Sequence, residues 1–145
     1  MTAVHEISAG FDFIINTLKN DATLVSLCPG DVRRSFAPVG TTLPCVIVSF
    51  QSGVDTVTAN GMRLLVRALY LVKASGLMIS SPSVFALASQ IDIVLGGNQG
   101  LRNIAVTGGF VMSCYRESAA QYDENITGTS YTHMGGLYRV TSQQM

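Results

Sequence analysis

The chain has 145 residues, nine basic and nine acidic side chains, zero formal net charge and three cysteines. A domain of this length buries roughly 68–70% of the surface its unfolded chain exposes, so a core can form without disulfide or metal staples. Charged residues make up 12% of the chain and apolar residues 48%, against about 25% charged in an average soluble domain. Charge normally keeps a folded chain apart from its own copies, so this composition predicts a surface partly covered by further copies or by partners. No basic run is present, which excludes a phosphate-gripping nucleic-acid footprint.

Cys28, Cys45 and Cys114 are odd in number and belong to no CxxC pair. They read as small buried hydrophobes in a reducing compartment, not as a disulfide framework, a zinc site or a nucleophile. The start of the chain, MTAVHEISAG, has no basic region followed by an apolar run. The apolar stretch 64–72 is broken by Arg67 and is too short for a bilayer. The expectation is therefore a soluble chain made in the cytoplasm, with no membrane contact.

In chain order, Val4, Ile7, Phe11, Ile14, Ile15 and Leu18 recur at three- and four-residue steps and predict a first helix. A short helix follows over 21–27, capped by the Asp21 carboxylate and stopped by Cys28-Pro29-Gly30. Residues 32–36 read as a short strand and 45–50 (CVIVSF) as a buried one. Between them lies a turn-rich link with Pro38, Gly40 and Pro44. The polar stretch 51–61 is predicted as a loop closed by Asn60-Gly61.

A long strand over 62–74 puts Leu64, Val66, Ala68, Tyr70 and Val72 on one uniformly apolar face, which must lie on the core. The other face mixes Arg63, Arg67 and Lys73 with Leu65, Leu69 and Leu71, too apolar for open solvent, and predicts a subunit contact. Ser81-Pro82 is the expected start of a helix, with Ser81 as cap, a stripe of Val84, Phe85, Ala88, Ile91 and Leu95, and Gly96-Gly97 as its end. Residues 104–117 and 131–141 read as two antiparallel strands joined by a polar loop, 118–130, long enough to project as an arm. Gly108-Gly109 and Gly135-Gly136 inside these patterns mark bulges or close backbone approach. The whole predicts one α+β domain over 1–145, a mainly antiparallel sheet with helices packed on one face.

No catalytic constellation emerges. His5 and His133 belong to no metal-binding pattern, and no serine sits in a GxSxG elbow. His133 shares a strand face with Tyr131 and reads as a satisfied structural histidine. The glycine-rich run 96–100 follows a helix where a phosphate cradle would precede one, so it reads as a helix stop. Asp123-Glu124 reads as a solvated loop tip without a companion, with an acidic pair facing a DNA channel as the alternative. No cofactor or metal is expected, and the chain is read as no enzyme.

The pattern as a whole resembles the tail-terminator or tail-completion family of long-tailed bacteriophages. The residues that carry the likeness are Arg33-Arg34-Ser35-Phe36-Ala37-Pro38, Thr42-Leu43-Pro44-Cys45-Val46-Ile47-Val48, and the closing stretch from Tyr131 to Val140 (YTHMGGLYRV). The segment 63–95 also falls where the family has its central strand and following helix. Cys45 stands where an aromatic is common, a departure that touches core packing.

The resemblance implies a structural virion protein in a ring, usually hexameric, that caps the tail tube, ends its growth and offers the surface on which the head connector or neck stopper docks. It implies the tail-tube protein and the connector as partners, and DNA passing through the lumen without specific binding. The expected place is the head-proximal end of the virion tail, after assembly in the host cytoplasm. A cyclic ring needs heterologous contacts, and the expected ones are Arg63, Leu65, Arg67 and Leu69 on the mixed strand face, Asp55 and Thr56, and Tyr122, Asp123, Glu124 and Asn125. The rivals are another neck or tail-tube protein, or a small ligand-binding α+β ring protein.

Overall fold

The computed structural model describes residues 5–96, 104–106 and 109–144. It holds helices α1 (His5–Lys19), α2 (Ala22–Leu27) and α3 (Ser81–Gly96) and strands β1 (Val32–Arg34), β2 (Cys45–Val57), β3 (Arg63–Leu77), β4 (Ile104–Val106), β5 (Gly109–Ile126) and β6 (Thr129–Gln144). The strands form one six-stranded sheet in the order β1-β2-β3-β6-β5-β4. Only β1 runs parallel to its neighbour, β2; the other pairs are antiparallel.

Helix α1 buries Phe11, Ile14 and Leu18, its predicted stripe, against the sheet. Asp21 caps α2, its carboxylate accepting from the Leu24 amide at 2.9 Å, as its position before the apolar run requires. Strand β1 is shorter than the pattern 32–36 predicts. Asp31 and Ser35 on either side of it have left-handed backbone (φ 67° and 69°), which ends the extended run and leaves Phe36 exposed.

The core face of β3 carries Val66, Ala68, Tyr70, Val72 and Ala74, all buried under the helices. Leu64, expected on the same face, is 52% exposed because the β2–β3 hairpin overshoots the helical layer there. Helix α3 buries Val84, Leu87, Ala88, Ile91 and Leu95. Burial of each of the larger side chains contributes about 1.5–3 kcal/mol. Phe85, expected in that stripe, is 42% exposed, and Leu87 takes its place. Ser81 has helical backbone and ends a preceding 3₁₀ turn, Met78–Ser80, so the cap predicted there is not formed. The segment Met78–Gly96 is long and apolar enough by composition to cross a membrane, yet its apolar stripe is packed on the sheet.

The two stretches predicted as polar loops are strands. Residues 51–57 extend β2 in register with β3, from Ser52↔Leu69 to Val57↔Arg63. Asn60-Gly61 closes that hairpin as predicted, with Gly61 at φ 85°. Residues 118–126 likewise extend β5, from Ser118↔Leu137 to Ile126↔Thr129. The hairpin turns at Thr127-Gly128, both at positive φ (49° and 83°), the twist that suits a two-residue hairpin. Cross-strand pairing, invisible to a composition reading, satisfies the backbone of these polar runs.

Candidate functional site

Alternation along the strands gives the sheet two unlike faces. The helices cover one. The register places Ile47, Leu65, Arg67, Leu69, Leu71 and Lys73 on the other, together with Leu137, Arg139 and Tyr115. Ile47, Leu65, Leu69, Leu71 and Leu137 are only half-buried there. This half-apolar face is the mixed strand face that the sequence pointed to.

The expected contact residues fall into two groups, one along the β2–β3 hairpin to the middle of β3 and one at the far end of β5. Thr56 and Leu65 lie opposite each other on the open face of the β2–β3 hairpin, and Arg63 pairs with Val57 near its tip. Asp55 pairs with Val66 and so lies on the helix-covered side, away from Thr56. Arg67 and Leu69 occupy the middle of β3, where Arg139 Nη1 donates to the Arg67 carbonyl at 3.2 Å. Arg139 also grips the Glu117 carboxylate through Nε and Nη2, at 2.9–3.2 Å. Such a bidentate pair fixes side-chain direction more than it stabilises.

Tyr122, Asp123, Glu124 and Asn125 lie at the far end, on β5. Asp123 accepts from Gln121 on the helix side. Asn125 Oδ1 accepts from the Gly128 amide and Asn125 Nδ2 donates to Ser130, which shapes the turn. One chain does not bring the two groups together.

Glu124 has a companion, contrary to the expectation of a solvated tip. Its Oε1 lies 2.6 Å from His133 Nε2, and His133 Nδ1 lies 2.7 Å from Ser75 Oγ. A carboxylate can only accept, so Nε2 carries the proton and Nδ1 accepts from the serine hydroxyl. Tyr122 stacks on the imidazole at 4.5 Å, and Lys73 hydrogen-bonds the Tyr122 hydroxyl. Ser75 and His133 are buried, at 5% and 6% exposure. The trio therefore ties β3, β6 and β5 together. His133 is the satisfied histidine that its strand position predicted. A groove of about 480 Å³ opens there, lined by Ser75, His133 and Glu124 themselves together with Ile47, Lys73 and Tyr131. Sequence reasoning missed Ser75 and the pairing of Glu124 with His133, because their meeting depends on register across three strands.

Burial holds the His133 pKa below the ordinary 6.5, with Lys73 adding to the lowering while Glu124 pulls upward. The unfolded chain thus binds more protons than the folded one just below pH 6.5, so stability rises with pH in that window. The His133 contribution is complete above that value and is lost as pH falls through the folded one. His133→Gln is expected to flatten the loss of melting temperature between about pH 7 and about pH 5, read by thermal unfolding across a pH series. An unchanged slope would refute this.

The cysteines behave as expected of buried thiols. All are free and buried, and burial pushes Cys28 up to about 11 and Cys114 up to about 12. Among the described residues no group of three or more His, Cys, Asp and Glu is placed to hold a metal ion.

Fold and site together define a single α+β layer pair, with one sheet face under helices and the other open and half-apolar. No protein-family model and no curated protein sequence matches the chain. Among solved structures, it is similar to a chain in the virion of a native gene transfer agent (GTA) particle. The TM-score is 0.61 at 15% identity, spanning 90% of this chain and 91% of that one. The likeness is one of fold, over practically the full length of both.

Proposed function

We propose that this chain is a structural component of a phage-like virion, and within it a tail-terminator subunit. Copies assemble into a hexameric ring at the head-proximal end of the tail. The ring caps the tail tube, ends its growth and offers a docking surface to the head connector or neck stopper, while DNA passes through without specific binding. The observation that carries this reading is the near full-length fold likeness to a chain of a virion particle. Low charge and a half-apolar sheet face support it, because both suit a subunit whose flanks are covered by neighbours. The contacts fall at Arg63, Leu65, Arg67 and Leu69, at Asp55 and Thr56, and at Tyr122 through Asn125. No cofactor and no reaction belong to this role.

Immunogold labelling of particles, viewed by electron microscopy, tests it. A single cluster of label between head and tail is the expected result. Label along the whole tail would make the chain a tube subunit, the nearest rival. Particles without label, with the epitope shown to be accessible, would overturn the virion role.

A further inference from the structure

The sheet ends in two long margins that no strand covers among the described residues. On one side β1 pairs only with Val46–Val48, leaving the outer edge of β2 open over 51–57. On the other, β4 pairs only with Gly109–Val111, leaving the outer edge of β5 open over 112–126. Each margin presents a row of backbone donors and acceptors open to solvent, a ready template for pairing with another strand. Natural edges are usually protected by lysine, proline or inward-pointing charge. Residues 51–57 (QSGVDTV) contain neither lysine nor proline, and their one charge, Asp55, stands exposed on the helix side of the strand, away from the open face. The apolar side chains Val54, on β2, and Tyr115, Tyr122 and Ile126, on β5, are 40–53% exposed. The register puts them on the open face of the sheet.

We infer that the β2 edge of one copy pairs with the β5 edge of the next, so that the sheets of neighbouring copies join into one continuous sheet around the assembly. This rests on the ring reading above and names the contact that closes the ring. Strand direction decides between partners. Since β2–β3, β3–β6 and β6–β5 are each antiparallel, β2 and β5 run in opposite directions. A second copy set beside the first in the same orientation therefore meets it with an antiparallel pair. Side by side, the copies also keep their faces aligned, so Val54 meets the tyrosines of β5 on the same side. The contact is heterologous, as a closed ring requires. β1 and β4 block opposite ends of the two margins, so pairing needs a stagger along the strands. Closing strands into a barrel imposes the same stagger.

The test uses Val54→Cys combined in turn with Tyr115→Cys, Ser118→Cys, Ala120→Cys or Tyr122→Cys, treated with a short bismaleimide. The native cysteines are buried. At least one pair is expected to give a ladder of cross-linked multimers on a denaturing gel, and Val54→Cys alone to give none. A cross-linked dimer from that single variant would mean edges pairing with themselves and would overturn the inference. So would a ring, measured by light scattering, in which no pair cross-links; that outcome leaves the virion role to the immunogold result. A chain that stays monomeric at every concentration also overturns it. Amide exchange on the unmodified assembly is independent of variant folding. The outward-pointing amides of 51–57, and of the stretch within 112–126 that faces them, are expected to exchange at least about tenfold more slowly than in the dilute monomer, and equal rates would refute the contact.

Discussion

Replacing Tyr70 by alanine is expected to remove about 3–5 kcal/mol of stability and to lower the melting temperature by roughly 6–20 °C. Tyr70 sits at the centre of β3 on the core face, fully buried. Its ring meets Phe11 of α1 at 5.0 Å and Phe50 of β2 at 5.7 Å, both edge-on. Its hydroxyl donates to the Ile7 carbonyl at 2.6 Å, which ties the first helix to the sheet. Alanine would remove all of these contacts and leave a cavity between two layers that cannot collapse independently. Tyr70→Phe keeps the ring and loses only the hydrogen bond, so about 1 kcal/mol is expected. Equal losses for the two variants, measured by denaturant titration, would refute this account of the site. The same ring explains Gly10 in the middle of α1, because a Cβ there would lie 2.2 Å from the Tyr70 hydroxyl oxygen.

Gly135→Ala is expected to cost at least about 3 kcal/mol, at the upper end of what overpacking does. Gly135 pairs with Lys73 across β3 and β6. An added Cβ would fall 2.0 Å from the Val72 carbonyl oxygen and 2.7 Å from the Lys73 Cα. Backbone atoms in a central ladder cannot swing aside as a side chain can, so the two strands must separate or shift register. Gly53→Ala is the control. It lies on a strand too, but its Cβ would meet only Val66 and Phe50 side chains at 3.4 Å or more. It is expected to be near neutral. A Gly135→Ala protein as stable as the Gly53→Ala one would show that the ladder tolerates the methyl group and refute the prediction.

Much of this chain is legible in its residues. Stripes at helical spacing located α1, the carboxylate of Asp21 placed the start of α2, and strict alternation in β3 told the core face from the open one. The Gly135-Gly136 pair announced a close backbone approach, and Gly135 makes one. These signals are local: each needs only the geometry of one helix, strand or turn. The mixed Leu and Arg face of β3 also pointed to the half-buried open side, because alternation alone assigns side chains to faces.

Other features needed the tertiary structure. The runs 51–57 and 118–126 look like loops in composition, being polar and poor in long apolar stretches, and become strands only when β3 and β6 supply hydrogen-bond partners. Thr127-Gly128 lacks the Asn-Gly signature and turns the chain all the same, since the paired strands on both sides hold it at positive φ. Phe85 is left exposed because the sheet selects which face of α3 it receives, and Leu87 is on that face. The Ser75–His133–Glu124 trio joins residues from three strands, and a register slip of one residue would turn its members to opposite faces. Local chemistry in the sequence thus determined which segments are helical and which face of β3 is buried. Pairing across strands, a non-local contact, decided how far the strands run, which acidic residue found the histidine, and which two edges of the sheet remain free.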